Sequence, residues 1–197
     1  FGIHGSIALS MHTAKSDIDF VVYGSRNFRS LENTIERLVN EGRLAYIFSR
    51  KLDRIRRNRG RYRGRVFVYN AVRKDEEIAS KYGDFKYSAI KPIKFHCQVV
   101  DDNEAMFRPA VYRITDYQPL DSASRLTRDE IPEKVTSMIG CYRNVVRRDE
   151  KAIVSGVLER VENVETGKAT HQVVVGTGAH ENECIWPFSE KNRAKVV

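Results

Sequence analysis

Gly5-Ser6-Ile7-Ala8-Leu9, followed at Ser16 by Ser16-Asp17-Ile18-Asp19-Phe20-Val21-Val22-Tyr23-Gly24, is the stretch on which the reading of this chain turns. Ile18, Phe20, Val21 and Val22, bounded by Ser16 and by a Tyr23-Gly24-Ser25 turn, have the composition of a strand. Side chains alternate faces along a strand, so Asp17 and Asp19 are expected on one face and Ile18 and Phe20 on the other. Two hard oxygen donors so placed suit Mg²⁺, which takes one or two protein carboxylates and completes its octahedron with water and phosphate oxygens. Upstream, Gly5 lets the backbone approach a ligand closely, and the amides after it can donate to phosphate. Ile7 to Met11 reads as a short helix whose start favours negative charge.

Taken singly, each piece has an ordinary explanation. An Asp-x-Asp pair is commonly a solvated strand end, and a Gly-Ser at a helix start is commonly a cap. Together, Gly5-Ser6 and Asp17-Ile18-Asp19-Phe20 resemble the signature of the DNA polymerase beta-like nucleotidyltransferase superfamily. More narrowly, the whole quoted stretch looks like an uncharacterised archaeal branch of predicted nucleotidyltransferases. The superfamily resemblance covers roughly residues 1 to 100, and the branch resemblance runs on more thinly into the C-terminal half. It implies that Asp17 and Asp19 ligate one or two Mg²⁺ (or Mn²⁺) ions and are the catalytic carboxylates. It also implies that Gly5 and Ser6 bind the triphosphate of a nucleoside triphosphate (NTP). A hydroxyl or similar nucleophile then attacks the α-phosphorus in line and pyrophosphate leaves, a reaction governed by positioning and charge neutralisation.

Two departures stand out. His4 fills a slot that the superfamily gives to an apolar residue. Active members also carry a third acid on a later strand, and neither strand expected to hold it has one in its interior. Arg65 to Val72 offers Asn70, a possible metal ligand that cannot act as a base. Lys94 to Val100 offers His96, which can act as one, although a histidine alternating with Phe95 and Cys97 is more often an exposed strand residue.

Residues 50–65 read RKLDRIRRNRGRYRGR, in which Asp53 is the one acid. The net charge of this run equals the +8 of the whole chain, so the rest is balanced. Leu44, Ile47, Phe48, Leu52 and Ile55 have helical spacing, with Asn58-Arg59-Gly60 as the expected stop. Arg61, Arg63 and Arg65 then alternate as on a hairpin arm. A solvated face is the plain reading. A polyanion track through Arg54, Arg56, Arg57, Arg59, Arg61 and Arg63 is the functional one, with RNA or DNA as partner and Tyr62 and Tyr69 for stacking. Arginine matches phosphate oxygens with a planar fork. Some of these cations could equally hold the nucleotide's triphosphate.

The composition, 41% apolar and 30% charged, is that of an ordered globular protein. No apolar run approaches the ~20 residues that span a bilayer, so no membrane partner is expected. Three widely spaced cysteines, Cys97, Cys141 and Cys184, fit reduced thiols in a cytoplasm. Phe28 to Asn40 has the pattern of an amphipathic helix, through Leu31, Ile35, Leu38 and Val39. Glu76 to Lys81 reads as a helical turn and Asp101 to Glu104 as a solvated turn. Strands are expected over 90–100, 110–116 and 152–161, and Tyr117 to Pro132 as a connection. Glu165-Thr166-Gly167-Lys168 is a hairpin turn answered by His171 to Gly176, and Cys184 to Phe188 closes the core. Ser189 to Val197 is expected to fray.

The expected fold class is therefore α+β. A nucleotidyltransferase-like mixed sheet with flanking helices, 1–88, lacks part of its N-terminal region, and a small antiparallel β-barrel-like (OB-like) module covers 89–197. Three functions compete: an Mg²⁺-dependent nucleotidyltransferase with an unknown acceptor, a catalytically inactive nucleic-acid-binding protein on the same fold, and a protein-interaction module that docks an acidic partner.

Overall fold

The computed structural model describes residues 1–49 and 51–188. Arg50, the first cation of the basic run, and the tail expected to fray lie outside the described residues. The chain is α+β, with two mixed sheets and few helices, and divides into two compact units, Phe1–Ala79 and Ser80–Val197. The division falls before the expected 88/89 boundary because the long first strand of the second unit starts at Phe85.

In the first unit the order is β1 (Gly2–His4), α1 (Gly5–Ala8), β2 (Ile18–Tyr23), α2 (Ser25–Asn40), β3 (Ala45–Tyr46), α3 (Lys51–Arg56), β4 (Arg59–Tyr62) and β5 (Arg65–Val72). These strands form one sheet, β1-β2-β5-β4-β3, in which β2 and β5 are parallel and the other pairs antiparallel. Phe20 on β2 stacks on Tyr69 of β5 with ring centres 6.1 Å apart, and Phe28 of α2 meets the same tyrosine at 5.5 Å. Tyr69 is 1% exposed, and its hydroxyl donates to the Arg57 carbonyl at 2.9 Å. This aromatic stack buries the apolar side of the sheet under α2, while the alternate residues of β2 and β5 face away from it.

Both ends of α2 are closed by side-chain or glycine geometry. At its start, the backbone N–H and hydroxyl of Ser25 donate to Glu77 Oε1 at 2.8 and 2.7 Å, satisfying an otherwise orphan helix donor. At its end, Gly42 takes φ +71° while its N–H donates to the Val39 carbonyl, and Arg43 N–H donates to that of Leu38. That is the Schellman pattern of a helix stop.

Several expectations shift. α1 begins at Gly5 and ends at Ala8 rather than running from Ile7 to Met11, since Ser10 adopts φ +56° and breaks the turn. The apolar spacing from Leu44 to Ile55 is not one helix: Ala45–Tyr46 pairs with β4 and only Lys51–Arg56 is helical, so strand pairing overrides the periodicity. The Glu76 to Lys81 turn is a 3-10 turn at Asp75–Glu77. A hairpin forms there, but Arg61, Arg63 and Arg65 do not alternate along one arm: Arg61 is on β4, Arg63 in the turn and Arg65 on β5. Arg63 and Gly64, at φ +47° and +80°, make a two-residue turn joining β4 to β5, with the positive angles of a type I′ connection.

The second unit contains β6 (Phe85–Glu104), β7 (Ala110–Pro119), β8 (Lys134–Ser137), β9 (Lys151–Asn163), β10 (Ala169–Val175) and β11 (Cys184–Pro187). β6 pairs with β7 and β9, β7 with β8, β8 in parallel with β10, and β10 with β9, while β11 adds to β9. Phe95, Tyr112, Val135, Leu158, Val173 and Ile185 are buried in its core. At Gly156 of β9 a Cβ would lie 2.4 Å from the Val174 carbonyl oxygen, so the close approach of β10 requires glycine. Asp101 to Glu104 is strand rather than turn, and Asp102 pairs with Arg147 at 3.8 Å. β7 also runs three residues further than expected, into the connection. Among the described residues no helix is long and apolar enough to cross a membrane.

Candidate functional site

On the sheet face away from α2, strand register brings several charged residues of the first unit into line. Asp19 is in register with His4 on β1 and Val68 on β5, and Val68 is in register with Arg59 on β4. His4, Asp19, Val68 and Arg59 thus form one row across four strands, and side chains in such a row share a face. Asp17 lies just before β2 rather than within it. A small turn delivers it there: Thr13 N–H donates to Ser16 Oγ at 2.9 Å, and Ser16 N–H to the Thr13 carbonyl at 3.1 Å. The guanidinium of Arg65 also donates to the Ala14 carbonyl, tying this loop to β5.

Gly5 is the closest backbone approach in the site. It takes φ +69°, and a Cβ at that position would fall 2.5 Å from Asp19 Oδ2. Any side chain there would be strained by the backbone angle and would collide with the carboxylate. The glycine-serine bend and the second aspartate are therefore neighbours, with Ser6 the next residue of α1, its carbonyl accepting from Met11 N–H at 2.8 Å.

Burial raises the Asp19 carboxyl above its usual range and the charge of Asp17 raises it further, while His4 and Arg59 pull it down less strongly. The pair repels itself, and a cation relieves it. Arg59 supplies part of that charge, with Nη2 3.5 Å from Asp17 Oδ2 and both side chains a little under 40% exposed.

Directly across from Asp19 on β5 is Val68, so the strand offers no acid there. Asn70 lies two residues on along the same face, its Nδ2 3.5 Å from His4 Nε2. His96 is on β6 of the second unit, its ring 4.8 Å from that of Phe188, and burial lowers its pKa ahead of the charges of Lys151 and Lys94. Among the described residues no group of three or more His, Cys, Asp or Glu side chains could hold a metal ion. Two carboxylates without a third ligand fit a Mg²⁺ that brings phosphate and water oxygens with it. A cavity of about 410 Å³ in this unit lies elsewhere, on the α2 side beside Val22 and Leu31, and no carboxylate lines it.

The described arginines of the basic run differ in their partners. Arg57 pairs with Glu36 at 2.6 Å and lies over the Tyr46 ring, Arg54 lies over Phe48, and Arg63 over Tyr62. Arg56, at the end of α3, has partners of its own. Arg59 and Arg61, alternate residues of β4, share the carboxylate face. The sequence left Arg59 as one cation of a run open to nucleic acid or to a triphosphate, and His4 as a mismatch. Only the strand register puts both beside Asp19.

No family model matches the chain, and no solved structure matches it. A curated protein of the archaeon Methanocaldococcus jannaschii, described as uncharacterised, is 25% identical over 197 residues, covering 89% of this chain and 55% of the relative. The chain thus spans about half the length of the curated relative it matches.

Proposed function

We propose that the first unit is a nucleotidyltransferase-like domain that moves a nucleoside monophosphate from an NTP to an acceptor, with release of pyrophosphate. The observation that carries this reading is the seat of Gly5 on Asp19: the bend suited to phosphate and the carboxylate suited to a divalent cation are in contact. Asp17 and Asp19 would hold Mg²⁺ or Mn²⁺, which when bound neutralises charge on the phosphates. Gly5 and Ser6 orient the triphosphate by their backbone. The acceptor oxygen bonds to the α-phosphorus, the bond to the β-phosphate oxygen breaks, and its electron pair leaves with pyrophosphate. His4, in register with Asp19, is the imidazole available to take the acceptor's proton.

The strand pairings of the second unit run β6–β7–β8–β10–β9 and back to β6, which supports an OB-like barrel able to grip an acceptor such as RNA. Free cysteines at 97, 141 and 184 are in keeping with a reducing, cytoplasmic setting. A second reading, nucleic-acid binding without turnover, is favoured by one observation: on β5, beside β2, Val68 and Asn70 supply no acid across from the aspartates.

Incubation with labelled NTPs, Mg²⁺ or Mn²⁺ and a pool of cellular RNA tests the two. The enzyme reading expects label transfer that disappears in the Asp17→Ala, Asp19→Ala double variant. RNA binding without transfer of any nucleotide, by the parent as by the variant, would leave only the binding reading.

A further inference from the structure

Arg59 is held loosely for a residue at the centre of a charged face. Its contact with Asp17 is 3.5 Å and its Nη1 reaches Ser49 Oγ at 3.5 Å, both at the long limit for a hydrogen bond. Its Nε is buried and, among the described residues, has no hydrogen-bond partner. A buried N–H without an acceptor is rare and points to an oxygen that the protein itself does not supply. The neighbouring arginines are committed elsewhere, Arg57 to Glu36 and Arg65 to the Ala14 carbonyl. Arg59 is in the row that contains Asp19 and in contact with Asp17.

We propose that Arg59 is a polyphosphate-binding residue of this site. It neutralises Asp17 in the free protein and turns to the triphosphate oxygens when a divalent cation arrives on Asp17. The fork of a guanidinium offers Nε and Nη as parallel donors to two phosphate oxygens, which would satisfy the orphan Nε. The exchange has a physical logic. While Arg59 sits on Asp17 it competes with the cation, and once the cation is bound the two positive charges repel, so the arginine is released towards the incoming anion. Cation and polyphosphate then bind cooperatively, each lowering the free energy of the other's entry. This inference rests on the nucleotide reading given above.

Calorimetric titration of the whole chain with Mg²⁺ alone, with inorganic tripolyphosphate plus Mg²⁺, and with each Mg²⁺·NTP tests it, using Arg59→Gln, Arg59→Lys and, as control, Arg37→Gln on α2. Arg59→Gln is expected to weaken tripolyphosphate and NTP binding by about 10-fold or more, the weight of a charge-assisted hydrogen bond. Arg59→Lys, which keeps the charge and loses the fork, is expected to recover part of that affinity. Mg²⁺ alone should bind Arg59→Gln up to about 5-fold more tightly, because the freed Asp17 no longer bears a partly exposed ion pair. Unfolding of Arg59→Gln would leave Arg59→Lys as the decisive variant.

If the parent binds an NTP and both Arg59 variants bind it equally well, the inference is overturned while the nucleotide reading stands. Loss of polyphosphate affinity with no gain for Mg²⁺ alone sinks the exchange with Asp17. A parent that binds neither NTP nor tripolyphosphate overturns both the inference and the reading beneath it.

Discussion

The two units use their sheets in opposite ways. The second buries a long series of apolar side chains, from Ile93 and Phe95 through Tyr112 and Leu158 to Ile185, and pairs its strands into a continuous set. The first has a thin core of Val22, Phe28, Ile35, Tyr69 and Ala71 under one helix, and leaves the other face of its sheet to charge. Where one face of a sheet holds a repelling carboxylate pair and cations, that face gives little stability to the fold. The difference teaches that the first unit depends on a few aromatic contacts to hold its strands in register, whereas the second rests on a larger apolar core.

Tyr69→Ala presses hardest on that contrast. It removes the ring shared by Phe20 and Phe28 and the hydroxyl on Arg57, and is expected to cost about 3–5 kcal/mol. Hydrogen exchange should then show the amides of β2 and β5 opening while those of β6 and β9 keep their protection. Equal loss in both units would mean that the cores are not separate in stability.

Gly156→Ala probes the second unit by overpacking, since the new methyl would meet the Val174 carbonyl at 2.4 Å. A cost on the order of 2 kcal/mol is expected, read as a lower urea midpoint, with nucleotide binding in the first unit unchanged.

Gly5→Ala is the matching change in the first unit. Forcing alanine to φ +69° costs about 1–2 kcal/mol, and its methyl displaces Asp19. The expected signature is a small loss of stability with a complete loss of Mg²⁺-dependent triphosphate binding. Retained binding at parental affinity would detach the bend from the site.

Asp19→Asn should do the reverse and raise stability, the smallest of these effects. Burial and Asp17 raise the Asp19 carboxyl in the folded state, so its favourable contribution is present below the ordinary value of 3.8 and is lost as pH rises through the folded value. The free variant is therefore expected to melt higher than the parent at pH 7, with the gap closing as pH falls below about 4. A parent as stable as the variant at pH 7 would show that the carboxylate carries no such penalty.

Much of this architecture was legible in the residues. The apolar run from Ile18 to Val22, the stripe along α2 and the Glu165 to Lys168 turn each fix their element locally, and the structure has all three. The Gly-Ser and Asp-x-Asp pieces were legible as motifs, although their contact through Gly5 and Asp19 depends on β1 folding back antiparallel on β2. Less was legible where pairing between distant strands decides. Leu44, Ile47 and Phe48 have the spacing of a helix, yet Ala45 and Tyr46 between them become strand because β4 lies beside them. Arg59 reads as one cation in a run until its register through Val68 sets it opposite Asp19. Asn70 was identified on its strand, but its neighbour His4 comes from the far edge of the sheet, a proximity that no local pattern carries.

The most direct test of the central claim is a calorimetric titration of the parent and of an Asp17→Asn, Asp19→Asn variant with each NTP, in Mg²⁺ and in EDTA. The account predicts binding of at least one nucleotide to the parent in Mg²⁺, lost both in EDTA and in the variant. Binding of equal strength in EDTA or in the variant, or no binding to the parent at all, would contradict it.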